Sequence, residues 1–113
     1  MSRPPEFTIV TERDGSTVTV ALTGELDMAT APELHAEFER LHEEPGLRRV
    51  IVDLRNLAFL DSTGLEAILR LDSRSSEEGF DVAIVRGPRA VERLFAVMHF
   101  DRRLQMIDDP GEL

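Results

Sequence analysis

The chain has 113 residues, a formal net charge of −9 and no cysteine. This length favours one domain. We expect the domain to span residues 1–113 and its ordered core to span about residues 6–108. The negative charge argues against a nucleic-acid partner, which would require a basic face, and against anionic membranes. A disulfide framework and a thiolate zinc site are excluded. The histidines show no ligand spacing, so no metal or other cofactor is expected.

The start of the chain, MSRPPEFTIV, lacks the apolar stretch of a signal peptide. No later segment approaches the roughly 18 apolar residues of a membrane span. These features predict a cytoplasmic protein. All basic residues are arginine, which excludes mechanisms that depend on a lysine amine.

The first two predicted strands form an antiparallel hairpin. FTIVTE (7–12) and STVTVALT (16–23) alternate apolar and polar residues, as a strand with one buried face does. Asp14 and Gly15 between them carry the Asp-Gly signal of a two-residue hairpin loop.

A helix is predicted to follow the hairpin. Thr30 stands three residues before Glu33, which predicts a capping box, and Pro32 suits the first turn. Apolar residues then recur on one face until Pro45 and Gly46 end the helix.

The rest of the chain alternates strand and helix. RRVIVDL (48–54) and FDVAIV (80–85) are continuous apolar runs, which are typical of strands covered on both faces. STGLEAILRL (62–71) predicts a helix, and so does the stretch from Gly87 through Met98, whose apolar residues lie on one stripe. RRLQMID (102–108) predicts a last strand, followed by the frayed tail DDPGEL (108–113).

This order predicts an α/β fold with a mixed β-sheet that opens with an antiparallel hairpin, and with helices packed on the sheet. In such folds, the loops at the carboxyl ends of parallel strands gather at one edge, where ligands and partners bind. NLAFLDST (56–63) is predicted to be one of these loops. Ser62 should therefore lie at the functional edge of the sheet.

Two interpretations of Ser62 compete. Asp61, Ser62 and Thr63 are all good N-cap residues, and their spacing alone favours a purely structural role. However, Thr63 and Glu66 would form a complete capping box by themselves. Ser62 would then lie outside the helix with a free hydroxyl.

Three segments of the chain resemble the STAS domain of bacterial anti-sigma factor antagonists. They are LTGELDMATAPEL (22–34), VIVDLRNLAFLDSTGLEAIL (50–69) and VAIVRGPRAVERLFAVMHFDRRLQMI (82–107). The resemblance covers nearly the whole chain, and Asp-Ser-Thr-Gly-Leu is its most specific part.

The resemblance implies a phosphorylation switch at Ser62. In the family, this serine is phosphorylated by a partner that is both a serine kinase and an anti-sigma factor, and a phosphatase resets it. The unphosphorylated protein binds this partner and thereby releases a sigma factor. By the same resemblance, Asp27, Asp61, Ser62, Thr63 and Gly64 form the partner-binding surface, although Asp27 is equally well explained as a polar turn residue. The protein itself would not be an enzyme.

Two alternatives stay open at this point. One keeps the STAS domain as a scaffold or regulatory subunit of a stress-sensing complex or a transporter. The other is a receiver-type domain that accepts phosphate on Asp53, at the end of a buried strand. The opening hairpin and the absence of lysine count against a receiver.

The chain departs from the family pattern after the last strand. Family members commonly continue into another helix, whereas this sequence stops at DDPGEL. One face of the sheet is therefore expected to be less covered, or to be completed by a partner.

Overall fold

The computed structural model describes residues 6–113. Residues 1–5 lie outside the described residues. The prediction that the chain starts without a signal peptide and the first five residues of the predicted domain fall in this segment. The elements are β1 (Thr8–Asp14), β2 (Thr17–Leu26), α1 (Ala31–His42), β3 (Arg49–Leu60), α2 (Ser62–Glu78), β4 (Asp81–Val85), α3 (Arg89–Val97) and β5 (Gln105–Ile107). Within the described range, no helix is long and apolar enough to cross a membrane.

The strands form one sheet in the order β1-β2-β3-β4-β5. The β1 and β2 strands are antiparallel, and every later neighbour pairs in parallel. Because right-handed crossovers between successive neighbouring strands advance in one direction, they place the three helices on the same face of the sheet. The predicted α/β fold, with its opening hairpin and its helices packed on a mixed sheet, is confirmed.

One hydrophobic cluster joins this face of the sheet to all three helices. Its completely or nearly completely buried side chains include Val20, Val52, Leu34, Ile68 and Phe95. Burying side chains of this size stabilises the fold by about 1.5–3 kcal/mol each. The cluster fixes the position of each helix start at the sheet edge.

The hairpin loop lies one residue later than predicted. Asp14 pairs with Thr17, so the loop residues are Gly15 and Ser16. Gly15 has a φ of 62°, and a type II′ turn needs such a positive φ at its first loop position.

The β3 strand is longer than predicted and absorbs most of the segment that was expected to be a loop. It continues to Leu60 because β2 pairs with it as far as Leu26, with irregularities in register that keep the two strands together. The pairing of β4 ends earlier, where Val85 lies opposite Asp53. The β2–β3 pair therefore extends beyond the rest of the sheet, and Asp53 lies within a strand rather than at its end.

Asp53 lies on the face of the sheet opposite the main helix-packed core. It alternates with Val52 and shares its face with Ile51, which packs in a separate small cluster with Val85. Asp53 is only 7% exposed, and Arg55 donates hydrogen bonds of 2.8–3.2 Å to both carboxylate oxygens. Burial opposes ionisation, but the hydrogen bonds from Arg55 outweigh it and lower the pKa of Asp53 below its ordinary value.

Two predictions near the end of the chain are wrong. Met98 lies just after α3 and is 42% exposed, because the buried stripe of this helix ends at Phe95. The expected frayed tail contains a 3₁₀ turn, Pro110–Glu112. Asp109 caps this turn by accepting a 2.7 Å hydrogen bond from the Gly111 N–H.

Val52→Asp should lower the free energy of unfolding by several kcal/mol, because it buries a carboxylate with no partner in the core. Urea melts measure this loss. Val10→Asp is the matched control, since Val10 also lies in a strand but is 53% exposed. A loss under about 0.5 kcal/mol for Val52→Asp, the range of ordinary surface substitutions, contradicts the core assignment.

Arg55→Ala leaves the buried Asp53 carboxylate without its guanidinium partner, although the backbone N–H of residue 55 still donates to it, and should lower the free energy of unfolding by about 1–3 kcal/mol at neutral pH. The folded-state pKa of Asp53 is lowered, so its stabilising contribution is present above the unfolded-state pKa and is lost as the pH falls through the folded-state pKa. The difference in the free energy of unfolding between wild type and Arg55→Ala should therefore become smaller below about pH 4.

Urea melts across this pH range test the Arg55 prediction. Arg70→Ala is the control, because Arg70 and its partner Glu66 are both 64% exposed and should contribute little. A gap between wild type and Arg55→Ala that does not change with pH contradicts the role given to this ion pair.

Candidate functional site

Ser62 lies at the tip of the extended β2–β3 pair, as the first residue of α2. The N-cap of this helix is Asp61, not Thr63 as predicted. Asp61 has an extended backbone (φ −107°, ψ 179°), and its Oδ1 accepts a 2.8 Å hydrogen bond from the Gly64 N–H. Ser62 is thus inside the helix rather than before it. Its side chain is exposed, and the capping function belongs to its neighbour.

Glu66, which was predicted to form a capping box with Thr63, faces away from the start of α2. Glu66 lies 3.5 Å from Arg70, one turn further along α2. Thr63 is exposed next to Ser62, so two hydroxyl side chains reach solvent at the first turn. The positive end of the α2 dipole and these hydroxyls make the tip of the β2–β3 pair suitable for phosphate.

Asp61 also contacts the turn between β2 and α1. Its Oδ2 accepts a 3.2 Å hydrogen bond from the Met28 N–H, while its own N–H donates to the Leu26 carbonyl at 3.2 Å. One carboxylate therefore binds both the start of α2 and the neighbouring turn.

Asp27 organises that turn from within. Its Oδ1 accepts hydrogen bonds from the Ala29 N–H at 2.9 Å and the Thr30 N–H at 3.1 Å. The Thr30 hydroxyl donates to the Glu25 carbonyl at 2.8 Å and accepts from the Asp27 N–H at 2.9 Å. The predicted capping box at Thr30 is therefore wrong, because its hydroxyl is engaged on the strand side.

Gly64 allows the first turn of α2 to lie directly on the ends of β2 and β3. A Cβ atom at this position would lie 2.7 Å from the Leu26 carbonyl oxygen and 2.9 Å from a methyl group of Leu60. These contacts leave no space for a larger residue without movement of the helix start. Gly64 thereby fixes the height of Ser62 above the sheet.

A groove of about 280 Å³ lies between the starts of α1 and α2 and is lined in part by Thr63, the residue after Ser62. Its lining residues are Met28, Ala31, Pro32, His35, Thr63, Glu66, Ala67 and Arg70. Met28 is 74% exposed on this groove, and Phe59 is 47% exposed near the end of β3. Met28 was not predicted as a site residue, although an apolar residue within a polar turn is a usable signal.

The two histidines of α1 differ in their relation to this groove. His35 lines the groove, whereas His42 contacts Glu78 and packs edge-on against Phe80. The His42 side chain is only 10% exposed. Among residues 6–113, no group of three or more histidine or acidic side chains is arranged to hold a metal ion.

Comparison with known proteins gives related chains of similar length. A STAS-domain containing protein of Pseudomonas aeruginosa is 27% identical over 96 residues, which span 85% of this chain and 93% of that protein. An anti-sigma-B factor antagonist of Staphylococcus aureus is 30% identical over 78 residues, spanning 69% of this chain and 71% of that protein.

Solved structures share the fold at lower identity. The unphosphorylated form of the anti-sigma factor antagonist SpoIIAA aligns with a TM-score of 0.79 at 18% identity, over 93% of this chain and 91% of that one. The phosphorylated form of SpoIIAA, from Bacillus, aligns with a TM-score of 0.72 at 17% identity, over 93% and 95%. At this identity the likeness establishes the fold alone.

The sequence model of the STAS domain family matches residues 8–113, which is almost the whole range that the structure describes. Strand order, opening hairpin and helix placement agree with this match. The chain therefore belongs to the STAS domain family.

Proposed function

We propose that this protein is an anti-sigma factor antagonist that is switched by phosphorylation of Ser62. In this proposal, the unphosphorylated form binds an anti-sigma factor with serine kinase activity and so releases a sigma factor. The observation that carries the proposal is the exposed Ser62 at the start of α2, where Asp61 already caps the helix. The Ser62 hydroxyl can then be modified without loss of a structural hydrogen bond.

The relatives support this assignment of role. The Staphylococcus aureus relative is named an anti-sigma-B factor antagonist, and SpoIIAA was solved both with and without phosphate. The proposed reaction transfers the γ-phosphoryl group of ATP to Ser62 Oγ, which loses its proton, and leaves ADP. Ser62 is the substrate of this reaction, and catalysis belongs to the partner. A phosphatase would hydrolyse the phosphoserine and restore the binding form in the cytoplasm.

The proposed partner-binding surface comprises the first turn of α2 and the neighbouring β2–α1 turn. It includes Asp27, Asp61, Ser62, Thr63 and Gly64. The hydrogen bonds of Asp61 support this grouping, because its carboxylate accepts from the Gly64 N–H and from the N–H of Met28, the residue that follows Asp27. Gly64 is buried and contributes by setting the backbone, while Ser62 and Thr63 are exposed for contact. The Asp27 carboxylate contributes at least by holding the turn in shape.

Phosphorylation is proposed to act at the interface rather than on the fold. Phosphate on Ser62 adds a charge of about −1.5 to −2 beside Asp61. The α2 dipole favours an anion at this end by about 0.3–1 kcal/mol, which keeps the domain folded. A partner carboxylate within about 5 Å would meet a repulsion of roughly 3 kcal/mol per unit charge at an effective dielectric constant near 20. That is enough to lower the affinity more than about a hundredfold.

Incubation with a serine-kinase anti-sigma factor and ATP should label Ser62 with an acid-stable phosphate ester. Ser62→Ala should remove the label, whereas Ser76→Ala, which deletes an exposed hydroxyl near the other end of α2, should keep it. Asp53→Asn should also be labelled, because Asp53 is buried under Arg55 within β3. Peptide mass spectrometry after labelling gives the position of the phosphate.

The same labelling experiment separates the receiver-type alternative. If a folded Asp53→Asn protein is no longer labelled while Ser62→Ala is still labelled, the phosphate acceptor is an aspartate and the present proposal is wrong. Circular dichroism of each variant verifies that it is folded.

Ser62→Ala should bind the anti-sigma factor constitutively and should not be released by ATP. Ser62→Asp should bind weakly, with a nearly unchanged thermal melt, since it places an anion at the interface and at the helix N-terminus. Titration calorimetry at low salt, where charges are least screened, measures both affinities. If Ser62→Asp and the phosphorylated protein both bind as tightly as wild type, the electrostatic account is wrong.

A further inference from the structure

Asp61 makes one hydrogen bond more than helix capping requires. Its Oδ1 serves the Gly64 N–H at 2.8 Å, and its Oδ2 serves the Met28 N–H at 3.2 Å on another loop. We infer that Asp61 is a positioning residue that sets Met28 beside Ser62, and that Met28 is an apolar anchor for the protein that recognises Ser62. This inference rests on the proposed function, because it describes how the same site meets its partner.

The β2–α1 turn can be positioned as a unit because it is bound internally. The Asp27 carboxylate accepts two backbone hydrogen bonds within the turn, and the Thr30 hydroxyl ties the turn to the Glu25 carbonyl. The Asp61 Oδ2 then fixes this unit to the start of α2 through Met28. The bond from a backbone N–H to a carboxylate is charge-assisted, so it is stronger than a neutral hydrogen bond.

Met28 forms one wall of the groove whose other wall belongs to α2. Its side chain is 74% exposed, and Thr63 and Ala67 of α2 also line the groove. Methionine adapts its shape to an apolar partner group, which makes it effective at protein interfaces. Thr63, the residue that follows Ser62 in α2, is part of the groove lining, so the groove begins one residue from Ser62 along the chain. The occupant we infer is therefore an apolar side chain of the same partner whose kinase site reaches Ser62.

Asp61→Ser separates the two roles of the carboxylate. Serine is a good N-cap and keeps an acceptor for the Gly64 N–H, but it lacks the second oxygen that binds Met28. Hydrogen exchange of the free protein should then be faster at the Met28 amide by about tenfold, the loss expected for one charge-assisted bond, and unchanged at the Gly64 amide. Equal protection of Met28 in wild type and Asp61→Ser overturns the inference whether or not the partner is known.

A double-mutant cycle tests whether Asp61 acts through Met28. Affinity for the kinase partner should fall at least about tenfold in Asp61→Ser and also in Met28→Ala, but the double variant should lose less than about twofold more than Met28→Ala alone. Val97→Ala is the control, because Val97 is 64% exposed on α3 and lies outside the site.

The outcomes of the cycle are distinct. Independent losses that multiply in the double variant would mean that Asp61 contacts the partner directly, and the inference would be wrong. If wild-type protein neither binds nor is labelled by such kinases while the Met28 amide still responds to Asp61→Ser, the proposed function fails and the positioning contact stands.

Discussion

Parallel pairing between β2 and β3 beyond the rest of the sheet is the constraint on which the site depends. The pairing continues to Leu26 and Leu60, whereas β4 ends opposite Asp53. Because both strands run in the same direction, the turn after β2 and the helix after β3 emerge side by side at the tip. Gly64 then lets α2 begin in contact with Leu26, so the two segments lie close enough for one carboxylate to bind both. A pair of strands that separated earlier would leave Ser62 on an isolated loop.

Capping by Asp61 has a further effect on the chemistry of Ser62. A serine that caps its own helix uses its oxygen as an acceptor for a backbone N–H, and modification would compete with that bond. Here the helix start is satisfied by the preceding residue, so modification of Ser62 leaves this capping bond in place. The arrangement separates the stability of the helix from the state of the hydroxyl. It is compatible with a domain that keeps one fold in both states.

The order of elements, the hairpin and the placement of Ser62 at the sheet edge could be predicted because each depends on local pattern. The choice of cap could not, since Asp61, Ser62 and Thr63 are all suitable and the outcome depends on where β3 ends. That end is set by pairing with a distant segment that includes irregular register, which no periodicity within β3 reveals. The error at Thr30 has the same origin, because its hydroxyl binds the Glu25 carbonyl on the adjoining strand.

The helix-free face of the sheet bears on how the molecule behaves at high concentration. Exposed apolar sheet faces tend to stack against one another, but the small cluster of Ile51, Ala83, Val85 and Ile107 on this face is at most 7% exposed and offers little apolar surface. Arg55 keeps 48% of its side chain in water. A second sheet laid on this face would have to remove that water from a charged group, which is unfavourable unless a new partner for the guanidinium is provided. The burial of the small cluster and the charge of Arg55 thus both oppose self-stacking on this face.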